Sequence, residues 1–116
     1  MENVKIKVVV FEHPQPEVWG KYCGYCPETQ NFQSRGNTID EVLEVVKHHL
    51  YLDLCHRFKY TNLQNLGWEI TENSIKVPIF ADEEAVRLTE RSYELKLDKF
   101  QILEIYVEVP PAKEFY

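Results

Sequence analysis

The chain opens on alternation that fills in. Val4, Ile6 and Val8 are separated by Lys5 and Lys7, and then Val8-Val9-Val10-Phe11 run apolar without a break. Alternation describes a strand with one wet face, and a continuous apolar run describes a strand covered on both. The pattern predicts a strand over 4–11 that lies inside a sheet. His13-Pro14-Gln15-Pro16 ends it, because proline brings no amide to a central ladder. The aromatic-rich segment from Trp19 to Cys26 predicts a second strand, stopped by Pro27. Asn31 to Arg35 predicts a short third strand, closed by Gly36-Asn37. These three form an antiparallel meander.

The period then changes. Thr38-Ile39-Asp40-Glu41 has the form of a capping box, with the Thr38 hydroxyl accepting from the amide of Glu41 and the Glu41 side chain reaching back to the amide of Thr38. Asp40 and Glu41 also stand at the positive end of the helix dipole. Behind them Ile39, Leu43, Val46, Leu50 and Leu54 recur at spacings of three and four, with Val42 beside them, which predicts a helix over 39–56 laying one stripe on the sheet. Residues 57–67 show no clear period. Residues 68–79 alternate loosely around Glu72-Asn73-Ser74, as a small hairpin or an extended arm would. Asp82 is the expected N-cap of a second helix over 83–95, with Ala85, Val86, Leu88 and Tyr93 as its apolar side. Finally Leu103, Ile105, Val107 and Val109 alternate with Glu104, Tyr106 and Glu108, a half-exposed strand closed by Pro110-Pro111. The order predicts a single α+β domain over 1–116, with the first helix on one face of an antiparallel sheet.

Composition narrows the partners. The 116 residues suffice for one core, and 44% of them are hydrophobic. The net charge is −6, and nearly all of the acidic excess lies in residues 61–116. That balance disfavours direct nucleic-acid binding, which needs clustered basic charge, and suits a basic protein partner. The chain has no run of about 18 apolar residues to span a membrane and no signal-peptide pattern at its start, so a cytoplasmic location is expected.

The candidate chemistry is the pair in Tyr22-Cys23-Gly24-Tyr25-Cys26. Thiol–disulfide enzymes place such a pair at the start of a helix, which lowers the pKa of the first thiol. Here Pro27 and a glycine turn follow instead. In a strand, Cys23 and Cys26 face opposite sides of the sheet with Cα atoms roughly 10 Å apart, beyond the roughly 7 Å that a disulfide bridges. A zinc site drawing on Cys23, Cys26, Cys55 and a histidine meets the same obstacle, because a regular strand cannot aim both thiols at one ion. His49, Asp53 and His56 have metal-capable spacing on the helix, but the same pattern makes a polar helix flank. Glu12, Asp40, Glu41 and Glu44 do not form the clustered carboxylates of a magnesium nuclease. The residues predict a binding domain with no catalytic residue, metal or cofactor. A metal-binding or thiol-redox protein using Cys23, Cys26 and Cys55 is the contrasting class.

The segment from Tyr22 to Val42 resembles the core signature of the HicB-like antitoxins. Pro27-Glu28, Gly36-Asn37-Thr38 and Asp40-Glu41 match that signature in order and spacing, and the helix ending in Leu50-Tyr51-Leu52 is similar too. The resemblance covers about residues 4–54, with the last strand as a further candidate. It implies a two-layer β-β-β-α-β domain of partial RNase H-like fold without the nuclease site. It also implies a homodimer or larger oligomer, and a partner that is a small basic ribonuclease toxin. Tyr22, Tyr25, Glu28 and Arg35, expected to be exposed on strands two and three, are the candidate partner-binding residues. A solitary module of the same fold with a different protein partner is the alternative. Three departures stand out. Gln30-Asn31 replaces the family's Pro-Gly, residues 57–100 form an atypical insert, and no separate DNA-binding domain is expected after the last strand.

Overall fold

The computed structural model describes residues 2–30, 33–55, 63–71 and 74–109. Its centre is a four-stranded sheet in the order β3-β2-β1-β6, antiparallel throughout. The strands are β1 (Glu2–Glu12), β2 (Tyr22–Tyr25), β3 (Gln33–Gly36) and β6 (Gln101–Val109). A separate two-stranded hairpin pairs β4 (Glu69–Ile70) with β5 (Ile75–Lys76). The principal helices are α1 (Pro16–Trp19), α2 (Ile39–Cys55) and α3 (Asp82–Tyr93), and residues 63–65 are also helical. Among the described residues no helix is long and apolar enough to cross a membrane.

The apolar run of β1 does what its pattern predicts. β1 lies between β2 and β6, and Val8, Val9, Val10 and Phe11 are all buried. Its even positions, Val4, Ile6, Val8 and Val10, join Val42, Val46 and Leu50 of α2 and Val107 of β6 in one core. Removing the side chain of a residue such as Leu50 from that core costs about 2–5 kcal/mol. Gly24 lets α2 come this close, because a Cβ there would overlap the side chain of Val42. Gly36 plays the same part at the helix start, where a Cβ would lie 2.7 Å from that of Glu41.

The opposite face carries a second core, so the sheet is not the floor of two layers. Phe11, Cys23 and Tyr25 pack there against Leu88 and Tyr93 of α3, with Phe80, Leu95 and Leu97 at the margin. The Tyr93 ring meets Phe11 edge-on at 4.9 Å, and its hydroxyl donates to the Gly24 carbonyl at 2.8 Å and the Ser34 carbonyl at 3.2 Å. The insert's helix is therefore a third layer over the β1–β2 half of the sheet. Periodicity identified the helix, but one sequence pattern cannot say which face it covers.

Local details sharpen the expectations. Trp19 ends a helix rather than starting a strand, since Pro16 suits the first turn of α1 and Gly20, at φ 89°, supplies its C-cap. Thr38 caps α2 by accepting from the Glu41 amide at 3.1 Å, but the Glu41 carboxylate returns to the amide of Asn37, at 2.6 Å, instead of that of Thr38. Ala81, not Asp82, is the N-cap of α3; Asp82 lies inside the helix with its carboxylate on Lys7. The buried side of α3 is Ala85, Leu88, Thr89 and Tyr93, with Val86 only half-buried. The loosely alternating stretch after Trp68 is the β4–β5 hairpin, its turn tied by the Thr71 amide donating to the Ser74 carbonyl at 2.9 Å. Asn31, His56 and residues 57–62, on which parts of the expectations fell, lie outside the described residues.

Candidate functional site

The candidate site is built around Glu28. Pro27 stops β2, while β1 continues for several residues past it, so the amide of Lys7 faces an empty ladder position. The chain turns at once, with the amides of Thr29 and Gln30 donating to the Cys26 carbonyl at 3.3 and 3.0 Å, and Gln30 enters the left-handed region at φ 53°. This turn carries the Glu28 side chain back along the edge of β1. Its Oε1 accepts the Lys7 amide at 2.5 Å, in the place where a strand carbonyl would have been. The Cys26 thiol approaches Oε2 at 3.9 Å, and the Trp68 indole donates to the Glu28 carbonyl at 2.8 Å, closing the site from the insert's side. Glu28 is left 2% exposed. Loss of water around its carboxylate pushes its pKa up to about 7, with the Lys7 amide bond acting in the opposite direction.

Lys7 links this site to the insert a second time. Its ammonium, on the α3 face, donates to the Phe80 carbonyl at 2.6 Å and to Asp82 Oδ1 at 2.7 Å. The bond to Asp82 is the chief reason its pKa is raised. One residue of the central strand thus fixes Glu28 through its backbone and the start of α3 through its side chain.

A carboxyl that titrates near neutrality is the kind of group acid–base catalysis uses. Here, however, the oxygen is committed to a backbone amide and buried, and the described clefts do not reach it. The largest of these, about 590 Å³, lies at the far end of β1. Val10, Phe11, Tyr22, Ile39 and Leu97 line it, and Glu12, Lys96, Asp98 and Lys99 stand around it.

The four expected contact residues separate. Tyr22 is half-buried beside that cleft, and Arg35 is exposed on β3. Tyr25 and Glu28 are not on the surface. Tyr25 belongs to the core under α3 and Glu28 is sealed at the strand edge, so neither can meet a partner in this conformation. The cysteines fall on opposite faces, Cys23 under α3 and Cys26 under α2. Burial pushes the Cys26 thiol up to about 12 and raises that of Cys23, which makes both poor nucleophiles at neutral pH. Cys55 closes α2, and its side chain, like that of Asp53, lies outside the described set. Among the described residues no three His, Cys, Asp or Glu side chains converge as a metal site would require.

Compared with protein-family models, with curated proteins and with solved structures, the chain gives no match.

Sequence reasoning missed Lys7, Trp68 and Tyr93 as the residues that lock the insert to the sheet. Sequence reasoning offered no signal for Glu28. The strands predicted over 4–11 and 19–26 are equal in length, and only the observed β2, four residues against eleven in β1, leaves an amide of β1 in search of an acceptor.

Proposed function

We propose that this chain is a HicB-like, non-catalytic interaction domain of antitoxin type, built on a partial RNase H-like core and acting in the cytoplasm by binding and neutralising a small basic ribonuclease toxin. One observation carries the reading. The residues that give the resemblance have frame-building roles in one continuous unit. Glu28 completes the edge of β1, Gly36 admits α2, and Thr38 and Glu41 cap it. Such residues support the fold in which the signature occurs, whatever surface the partner meets. The net charge of −6 supports a basic partner, since complementary charge accelerates encounter and disfavours wrong pairings. Of the candidate contacts, Tyr22 and Arg35 keep surface to offer.

The test is co-expression with a neighbouring basic reading frame of about 60–80 residues, the size the resemblance implies. Rescue of growth arrest and co-purification of the two chains are expected. Lack of both toxicity and complex formation would overturn the antitoxin reading in favour of a solitary module with another protein partner.

A further inference from the structure

We infer that the outer edge of β6 is a self-pairing surface, and that two copies of this chain join there, β6 against β6, in one register centred on Ile105. The inference does not depend on the toxin-binding reading.

β6 ends the sheet, and no described residue pairs with its outer side. Edge strands are normally protected by shortness, proline, a bulge or charged side chains. β6 has none of the first three, with nine residues in unbroken register against β1 and no proline from Gln101 to Val109; its charges are Glu104 and Glu108. The half-buried Leu103 and Ile105 stand on its α2 face, and Tyr106, 68% exposed, stands on the other.

The backbone limits the registers open to such a pair. The Lys7 amide bonds Glu28, and the His13 amide donates to the Lys21 carbonyl at 3.3 Å, so odd positions of β1 point toward β2. Even positions of β1 therefore point toward β6, where they meet its odd positions. The outward amides and carbonyls of β6 belong to Ile102, Glu104, Tyr106 and Glu108. Two copies related by a two-fold axis must match even positions with even positions. Three registers then use most of the strand, centred on residues 104, 105 or 106.

Charge chooses among them. Centring on 104 sets Glu104 directly opposite the partner's Glu104, and centring on 106 sets Glu104 opposite the partner's Glu108 twice. Like charges directly opposite one another destabilise a strand pair. Centring on 105 pairs Glu104 with the partner's Tyr106 and Ile102 with the partner's Glu108, and leaves no carboxylate facing another. On the α2 face the same register sets Ile105 against the partner's Ile105 and Leu103 against the partner's Val107, closing one apolar row across the join. The two glutamates, which might be taken as guards of the edge, instead select its register.

The experiment uses the full chain. Sedimentation or light scattering should give twice the monomer mass of 13.8 kDa. Tyr106→Pro removes an outward amide and no bond to β1, so it should return the mass to the monomer while the circular dichroism is retained. Ile105→Cys places two thiols at a non-hydrogen-bonded pair, with Cα atoms about 4.5 Å apart, within disulfide reach. Oxidation should cross-link it, with the 105–105 bond identified by peptide mapping, whereas Leu103→Cys should not link to itself. A wild-type chain that stays monomeric at its highest soluble concentration overturns the inference. So does a Tyr106→Pro chain that folds and still dimerises, or an Ile105→Cys dimer that forms no 105–105 bond. Should Tyr106→Pro fail to fold, the cross-link decides.

Discussion

The carboxylate of Glu28 accepts the backbone amide of Lys7 at 2.5 Å, so that a side chain completes a β-ladder that the backbone leaves unfinished. The acceptor is buried and titrates near neutrality, so this bond links the fold to pH. The pKa of Glu28 is about 7 when folded against an ordinary 4.5. The folded protein therefore holds the proton more firmly. Its contribution to stability is fully present below the unfolded value and declines as pH rises through about 7, by roughly 2–4 kcal/mol in all. Glu28→Gln keeps an oxygen for Lys7 and removes the titration. Chemical denaturation of the two proteins between pH 4.5 and 8 should show a slope in the wild type that the variant lacks; parallel curves would refute the coupling.

The thiols supply a second prediction. With Cys23 and Cys26 buried on opposite faces and both thiols raised, alkylation of either in the native protein should be limited by unfolding. Mass mapping after a short exposure to a thiol reagent checks this. Rapid labelling of Cys23 or Cys26 would contradict their placement.

Gly24 is fixed by the helix that crosses it. Gly24→Ala should destabilise by about 1–3 kcal/mol, because the added methyl overlaps Val42 in a fully packed core. Combining it with Val42→Ala should give less than the sum of the two separate losses. Additive losses would mean that the two residues do not meet.

Tyr93 tests the docking of α3. Tyr93→Phe keeps the edge-on contact with Phe11 and removes the donor to the Gly24 and Ser34 carbonyls. A loss of about 1–2 kcal/mol is expected. Hydrogen exchange should rise across residues 82–93 before it rises in α2; equal acceleration in both helices would show that α3 is not held separately.

The contrast between Ile39 to Leu50 and Glu28 explains what the sequence could reveal. The helix stripe repeats, its cap is local, and both are visible within a few neighbouring residues. The same holds for the alternation of β6 and for the continuous run of β1. Glu28 reads as an ordinary polar residue after a proline, because its partner is an amide 21 positions away, and backbone amides leave no mark in a sequence. Tyr25 misled for a related reason. An aromatic in a short strand can face water or a second core, and only the placement of α3 decides. Lys7, read as the wet side of an alternating strand, is instead tied to Phe80 and Asp82, more than seventy positions on.

The insert also governs how the chain could be shortened. After β3, α2 traverses the sheet once and α3 traverses it again, on the other side, in the opposite sense. Two passes deliver the chain to the end of β1 from which β6 must run back antiparallel. With one pass removed, a closing strand would arrive at the other end and lie parallel to β1, with its ladder and its outward residues rearranged. Deleting residues 57–100 would therefore not trim an appendage; it would reverse the last strand, and with it the edge that a second copy meets.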